Sequence, residues 1–539
     1  MLKKKDWIKD LVIYQIYPRS FKDSNNDGIG DLKGIIEKLD YLKLLGINAI
    51  WLSPIYLSPM VDNGYDVQDY YQIDPIFGTM EDFDLLAAEA KKRDIKLIMD
   101  LVVNHTSDKH FWFQEAIKDK NSKYSNYYIF KKGVNGKEPN NWEASFKGSA
   151  WTYVPQRDEY YLHLFAKEQP DLNFKNKEVR EEVNNIIKFW VDKGVSGFRV
   201  DAISYLDKGN LNLNLTENLN KDGYAPIKRT IAGSDLTHKY IQGFCKVFNK
   251  YNCLSVGEVN IRNDEDYQRY VLTKNREFDM AIPFIPPIVE MKNISSNYLK
   301  ETFKHRYELL KNGDWWANFL SNHDKPRQID LYGDGSKDSA KMLATLIQTL
   351  PGTPFIYQGE EIGMTNVYYD SIEKYRDIDS INHYKYLISS NYSEEDALKE
   401  TQRISRDNAR SPFQWDDSVN AGFSDVTPWI DVNSNYKEIN VKNEIDDPES
   451  VFNYYRKLIA LRKENEILKD GNLKFLKSPD GTLIYTRKLK EEKWLILLSF
   501  IKEDIKIKKI ATDYKVILEN KDFVNGLLKS FQAVILKIK

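Results

Sequence analysis

Short apolar runs alternate with amphipathic stretches through most of the chain. Val12-Ile13-Tyr14-Gln15-Ile16-Tyr17 reads as a strand, Leu32 to Leu45 as a helix and Ala49-Ile50-Trp51-Leu52 as a second strand. A helix near Asp82 to Arg93 and a third strand over Lys96 to Val103 follow. Further strands are predicted at Gly197–Val200, Leu254–Gly257, Phe278–Met280, Trp316–Phe319 and Pro354–Tyr357. Eight strands alternating with helices predict an α/β fold, a closed TIM (β/α)8 barrel, since no glycine-rich nucleotide loop follows the first strand; an open doubly wound sheet is the alternative. The rhythm breaks after the third strand. Residues 105–174 are rich in Tyr, Trp, Asn and Gly and lack helical periodicity, which predicts a small inserted domain. After the amphipathic helix Val451 to Arg462 come strands at Leu483–Arg487, Trp494–Leu498 and Ala533–Leu536, predicting a C-terminal all-β sandwich domain. The expected organisation is a barrel from 1–104 and 175–465, an insertion at 105–174 and a β domain at 466–539. The Lys/Ile-rich stretch Ile501 to Lys509 reads as a solvated edge strand.

Composition narrows the function more than the fold. The 539 residues carry 78 Lys plus Arg against 80 Asp plus Glu, a net charge of −2, so no global field favours nucleic acid or anionic lipid. Aromatic residues reach 13%, as 34 Tyr, 25 Phe and 11 Trp; such rings fill cores or line pockets for ligands with apolar faces and hydroxyl edges. Cys245 and Cys253 are too few for a disulfide framework and are expected to be reduced and buried. Met1-Leu2-Lys3-Lys4-Lys5-Asp6-Trp7 leads into Ile8-Lys9-Asp10 without an apolar core, and the longest apolar run, Trp494 to Ile501, is far below the roughly 20 residues that span a bilayer. A cytoplasmic protein with no membrane partner is expected.

In a barrel, polar residues just past strand ends face the mouth. Asp201 ends Gly197-Phe198-Arg199-Val200-Asp201, Glu258 ends Ser255-Val256-Gly257-Glu258, and Asp324 lies in Ser321-Asn322-His323-Asp324. Any one alone reads as a helix cap or a surface charge. Three together, with Arg199 and His323 beside them, suit glycosidic bond cleavage, in which one protonated acid serves the leaving oxygen and one carboxylate attacks the anomeric carbon. Arg199, two residues earlier on the same strand face, would keep Asp201 ionised as nucleophile. Glu258 has no cation nearby in sequence, so burial would keep it protonated as general acid.

Asp100-Leu101-Val102-Val103-Asn104-His105, Gly197-Phe198-Arg199-Val200-Asp201, Val256-Gly257-Glu258 and Asn322-His323-Asp324 resemble, in order, the four signature segments of the α-amylase family of glycoside hydrolases. Gln169-Pro170-Asp171-Leu172-Asn173 is similar to the segment marking its oligo-1,6-glucosidase and α-glucosidase branch. The resemblance spans essentially the whole chain. It implies a retaining double displacement with Asp201 as nucleophile, Glu258 as acid/base and Asp324 as transition-state stabiliser. It also implies a subsite for the non-reducing glucose made by Asp62, Tyr65, His105, Gln169, Arg199, His323 and Arg410, with Phe146 and Phe165 as walls. Asp62 with Arg410, preferred to Arg406, would clamp the outer hydroxyls and make the enzyme exo-acting on a small oligosaccharide or disaccharide.

Asp23-Ser24-Asn25-Asn26-Asp27-Gly28-Ile29-Gly30-Asp31 places oxygen ligands at every second residue around a turn glycine. Read alone it is equally an Asx-rich turn. It is similar to the calcium loop of bacterial members of this branch, which implies a structural Ca2+ on Asp23, Asn25, Asp27, the Ile29 carbonyl and Asp31. No organic cofactor is expected, and the remaining histidines have no metal-ligand spacing. Glu360 and Glu361, in the segment resembling the family's eighth strand, are expected to be structural.

By the resemblance, linkage preference follows the residue after the nucleophile: Val in isomaltose-cleaving members, Ala or Thr in maltose-cleaving ones. Ala202 therefore favours α-1,4 bonds, although one methyl group discriminates by only about 1–3 kcal/mol. Lys325 stands where many relatives have Gln, which keeps a phosphorylated disaccharide such as trehalose 6-phosphate open. A sucrose isomerase or transglucosidase would use the same carboxylates. A non-catalytic barrel relative that accompanies amino-acid transporters would lack them. A monomer or weak dimer is expected.

Overall fold

The computed structural model describes residues 5–271, 277–283, 296–309, 314–507 and 513–539. Eight parallel strands form the centre: β1 (Ile13–Ile16), β2 (Ala49–Leu52), β3 (Lys96–Val102), β4 (Gly197–Asp201), β5 (Leu254–Val259), β6 (Met280–Pro283), β7 (Ala317–Asn318) and β8 (Thr353–Tyr357). Their order is β6-β5-β4-β3-β2-β1-β8-β7, and β6 lies beside β7, so the sheet curls into a nearly closed barrel. Seven of these strands lie where the apolar runs predict them; the sixth is displaced toward the carboxyl side and shares only Met280 with the expected Phe278–Met280.

Alternation along each strand separates two cores. Ile13, Ala49, Trp51, Ile98, Leu254, Val256, Met280, Ile282, Ala317 and Phe355 pack together inside the barrel. Tyr14, Ile50, Leu97, Met99, Phe198, Val200 and Ile356 face outward into the larger core beneath the helices. The same two-residue step carries the inward face up from Ile98 to Asp100, from Arg199 to Asp201 and from Val256 to Glu258. Charge begins where the apolar plug ends.

Three local expectations need correction. The helix over Leu32 to Leu45 is two helices, Leu32–Glu37 and Leu39–Leu45, parted at Lys38, with the apolar side of both halves kept on the core. The 105–174 region does contain a helix, Phe111–Lys118, capped by His110; its buried Trp112, Phe113 and Ala116 are too short a pattern to show a 3.6-residue period. The Ile501 to Lys509 stretch is not an edge of the main terminal sheet. Ile505–Lys506 pairs antiparallel with Leu527–Leu528, and residues 508–509 lie outside the described residues.

The rest of the insertion is a three-stranded antiparallel sheet of Phe130–Lys131, Glu159–Leu162 and Trp151–Val154. Its Trp142–Glu143 pairs with Ala225–Pro226 from the segment after β4. Trp142, Trp151, Leu162 and Leu164 share one core with Ala202, Tyr205, Ile227 and Ile231, so the roof of the barrel is built from two separated segments.

A short helix, Glu466–Asp470, precedes the C-terminal antiparallel sheet, whose order is Asn472–Phe475, Thr482–Leu489, Glu492–Ser499, Ala533–Ile538, Tyr514–Glu519. Tyr485, Ile496 and Ile535 face the barrel helices, while Ile484, Leu497 and Val534 are covered by Leu528 and Phe523. Two buried arginines lock this sheet to the barrel. Arg462 donates to the carbonyls of Gln348 (2.8 Å), Leu350 (3.0 Å), Leu468 (3.2 Å) and Gly352. Arg487 donates to those of Gly471 (2.8 Å), Leu468 (2.8 Å) and Thr349. Among the described residues no carboxylate pairs with either, and burial lowers Arg462 to about 9 and Arg487 to about 10. No helix among the described residues is long and apolar enough to cross a membrane.

Candidate active site

Strand register places the charges. Arg199 on β4 lies opposite Asp100 on β3 and Val256 on β5, so its guanidinium stands between two strands that carry acids. One nitrogen donates to Asp100 (2.6 Å) and to Asp201 (2.7 Å), and the other contacts Glu258. No cation is near Glu258 in sequence, but Arg199 reaches it across the sheet. Burial still pushes the Glu258 carboxyl well above the ordinary range; Arg199 opposes this, and the negative charges of Asp201 and Asp324 reinforce it. Asp324 shows the opposite balance. Burial would raise it, but His323 (3.1 Å), Arg410 (3.0 Å) and Arg406 (3.3 Å) hold it well below the usual carboxylate range. A proton-holding acid and a fixed anion thus serve one cavity, Asp324 on its wall and Glu258 just behind it, the pairing that acid-catalysed displacement requires.

That cavity, about 210 Å³, opens at the carboxyl ends of the strands. Asp62, Tyr65, His105, Phe146 and Phe165 line one part, and Asp201, Ala202 and Asp324 line the catalytic part. Gln169, Arg199, Glu258, His323 and Arg410 stand behind the lining and bond to it. The Tyr65 hydroxyl bonds Asp100 (3.1 Å) and His323 (2.7 Å), whose other ring nitrogen meets Gln15 (2.7 Å). Gln169 donates to Asp62 (3.1 Å) and lies 3.1 Å from His105. The Phe165 ring rests 5.1 Å from that of His105 and 6.0 Å from Phe146.

The clamp on Asp62 is the main correction. Arg406, not Arg410, bonds Asp62 (3.1 Å), while also reaching Asp324 and Asp377 and lying 5.2 Å over the Phe146 ring. Arg410, one helical turn later and fully buried, bonds Asp324, Asp377 (3.4 Å) and the His323 carbonyl (3.1 Å). Burial pushes Asp62 up to about 7 against the pull of Arg406 and Arg410; the same two arginines outweigh burial at Asp377 and hold it at about 2.

Comparison with known proteins agrees with this geometry. Residues 15–471 match the α-amylase catalytic domain. The chain belongs to the α-amylase family. The oligo-1,6-glucosidase of Bacillus cereus is 44% identical over 99% of this chain and 100% of its own length. The trehalose-6-phosphate hydrolase of Bacillus subtilis strain 168 is 44% identical over 92% and 90%. Among solved structures, the isomaltulose synthase from Klebsiella sp. LX3 superposes with a TM-score of 0.94 at 38% identity, covering 99% of both chains.

Within this α-amylase-family site, sequence reasoning missed the roles of Asp100, Asp377, Arg406 and Lys228. Asp100 sat in a quoted segment two residues above an inward Ile98, a signal that register makes readable. Asp377 and Arg406 flank helices Ile378–Ser389 and Glu394–Ile404 far beyond the last strand, where periodicity says nothing about the mouth. Lys228 and Lys325 both line the pocket; burial lowers Lys228 to about 8, and Lys325 is lowered too. The Lys228 ammonium lies 3.8 Å over the Phe165 ring. Glu361 accepts from Tyr14 (2.6 Å) and Tyr41 (2.7 Å), and Glu360 from Ser321 (2.6 Å), bonds that place both in the packing behind β8.

The Asp23 to Asp31 loop is closed by its own side chains. Asp23 accepts N–H groups from Asn25, Asn26 and Gly28, and Asp31 accepts from Ser24 and caps the Leu32 helix through Gly34. Among the described residues no three His, Cys, Asp or Glu side chains are arranged to hold a metal ion. A cation here would need the Asn25 amide and the Ile29 carbonyl as well as the carboxylates.

Proposed function

We propose that this enzyme is a retaining, exo-acting α-glucosidase that removes a terminal non-reducing glucose from short oligosaccharides. The observation that carries the reading is Arg199 shared among Asp100, Asp201 and Glu258 beneath a pocket whose far part is closed by Asp62 and Arg406. Asp201, kept beside the guanidinium, attacks the anomeric carbon; Glu258 gives its proton to the leaving oxygen; Asp324 holds sugar hydroxyls as the ring distorts. Water then attacks the anomeric carbon as Glu258 takes its proton, the bond to Asp201 breaks, and glucose leaves with its anomeric configuration retained. Asp62, Gln169, His105 and Tyr65 grip the glucose, and the Asp62–Arg406 pair blocks further sugar units.

Ala202 supports α-1,4 preference, since a methyl group leaves space beside the bond. The oligo-1,6-glucosidase relative supports the α-1,6 alternative. Lys228 and Lys325, both at the pocket wall, favour a second reading, a disaccharide whose leaving sugar is phosphorylated, because ammonium groups there would hold a phosphate by charge-assisted hydrogen bonds. Parallel rates on maltose, isomaltose, sucrose and trehalose 6-phosphate test all of these. Fast maltose cleavage with slow isomaltose cleavage is expected; the reverse overturns the Ala202 argument, and dominance of trehalose 6-phosphate installs the second reading. Isomerised sucrose would replace hydrolysis by glucosyl transfer.

We also propose a structural Ca2+ on Asp23, Asn25, Asp27, the Ile29 carbonyl and Asp31. A carboxylate offers about four acceptor sites, and Asp23 uses three, so its N–H bonds leave room for a cation. Chelation should lower Tm and re-addition restore it; an unchanged Tm rejects the site. The protein is proposed to be cytoplasmic and a monomer or weak dimer, the latter checked by sedimentation.

A further inference from the structure

The registered pairing of β4 with β5 ends at Val200 opposite Gly257, one residue before the two carboxylates that must stay at a fixed spacing. Arg199 bridges the two side chains, and the backbones that carry them need a tie of their own beyond the last pair. Past the last pair, the chain turns sharply: Ala202 adopts φ 45° and ψ 33°, the left-handed region that an alanine rarely enters, and Ile203–Tyr205 forms one tight turn. In this conformation the Ala202 N–H donates to Glu258 Oε2 at 3.2 Å. Two residues beyond Glu258, Asn260 is gripped by that turn. Its N–H donates to Ser204 Oγ (2.8 Å), its carbonyl accepts from the same hydroxyl (3.3 Å), and its Nδ2 donates to Tyr205 Oη (2.8 Å).

We propose that Asn260 is a positioning residue for the acid/base: by bolting the turn after the nucleophile to the segment after the acid, it keeps the Ala202 N–H on Glu258 and aims the acid's O–H into the pocket. The aim follows from donor chemistry. Arg199 at Oε1 and the Ala202 N–H at Oε2 are donors that cannot accept a proton. Neither neighbour takes the O–H of protonated Glu258, which is left for an acceptor on bound substrate, the leaving oxygen. As the glycosidic bond breaks and Asp201 bonds the anomeric carbon, that proton moves to the leaving oxygen, and the carboxylate formed is held by the same two donors.

The inference rests on the proposed acid role of Glu258, and the test separates the two. Asn260→Ala and Tyr205→Phe each remove the Nδ2 bond, from opposite ends, so a failure of one to fold leaves the other informative. Each is assayed on α-glucosides with a sugar leaving group, which needs a proton, and with 2,4-dinitrophenol, which does not. The expected result is a fall in kcat/KM, which reports the step that expels the leaving group, of about 10- to 100-fold on the sugar against less than about threefold on the dinitrophenyl glucoside, a part of what a general acid contributes. The alkaline limb of the pH profile should move to higher pH, because the Ala202 N–H favours the carboxylate and its loss favours the acid. Equal losses on both substrates with an unmoved limb overturn the proposal. Glu258→Gln is the control. If it fails to discriminate between leaving groups, the acid assignment itself is wrong; if it discriminates and the two variants do not, only the bracket is wrong.

Discussion

Two pairs of arginines do different work in this molecule. At the pocket, Arg199 and Arg406 are each shared by three carboxylates, and their proton is held more tightly than usual despite burial. At the seam between barrel and terminal sheet, Arg462 and Arg487 face only carbonyls, and burial weakens their hold on the proton. A carbonyl cage offers direction without charge, so it fixes a seam. A carboxylate cage sets the protonation of its own members, so it can run acid and base chemistry side by side.

The sharpest way to break this contrast is Arg199→Leu. It leaves Asp100, Asp201 and Glu258 without their common cation, and kcat should fall about 10³-fold or more in protein that remains folded by circular dichroism. A fall explained wholly by lost folded protein would make Arg199 no different from the seam pair. Arg406→Ala comes next, with kcat/KM down about 10²-fold, mostly through KM, since Asp62 loses its partner at the glucose end; an effect smaller than that of Arg410→Ala would return the clamp to Arg410. Arg462→Met should lower stability by about 3 kcal/mol in urea titration, because several buried carbonyls lose their donor, while kcat/KM stays within about twofold. A large activity loss there would show that the seam reaches the pocket.

The smallest effect is in acid. Asp377 is held at about 2, below its ordinary 3.8, so its stabilising contribution is full above pH 4 and disappears as pH falls toward 2. The stability gap between the wild type and Asp377→Asn should shrink across that window, whereas the gap for Arg462→Met should stay constant, carbonyls having nothing to titrate.

The barrel was legible because its strands are apolar runs of strand length, and the carboxylates because they stand at or just past the carboxyl ends of those strands, Asp201 and Glu258 on inward-facing positions. Asp201, Glu258 and Asp324 follow from those rules together with the family resemblance. The Asp62 partner did not: Arg406 and Arg410 differ by one helical turn, and only the packing of the helices after β8 decides which reaches the pocket. Residues 202–233 escaped for a related reason. Their apolar positions, Ile227 and Ile231, look like an ordinary loop helix until Trp142 and Trp151 arrive from a segment some 80 residues earlier.

That shared core has a consequence for how such an enzyme can be altered. The inserted segment is half of a module, and its other half hangs from the strand that carries the nucleophile. A graft of residues 105–174 alone would set foreign side chains against Ala202, Tyr205 and Ile227, and so disturb the turn beside Asp201 before it changed the reach of the pocket. Substrate range in this architecture is inherited as a pair of segments, and exchange experiments should move both together.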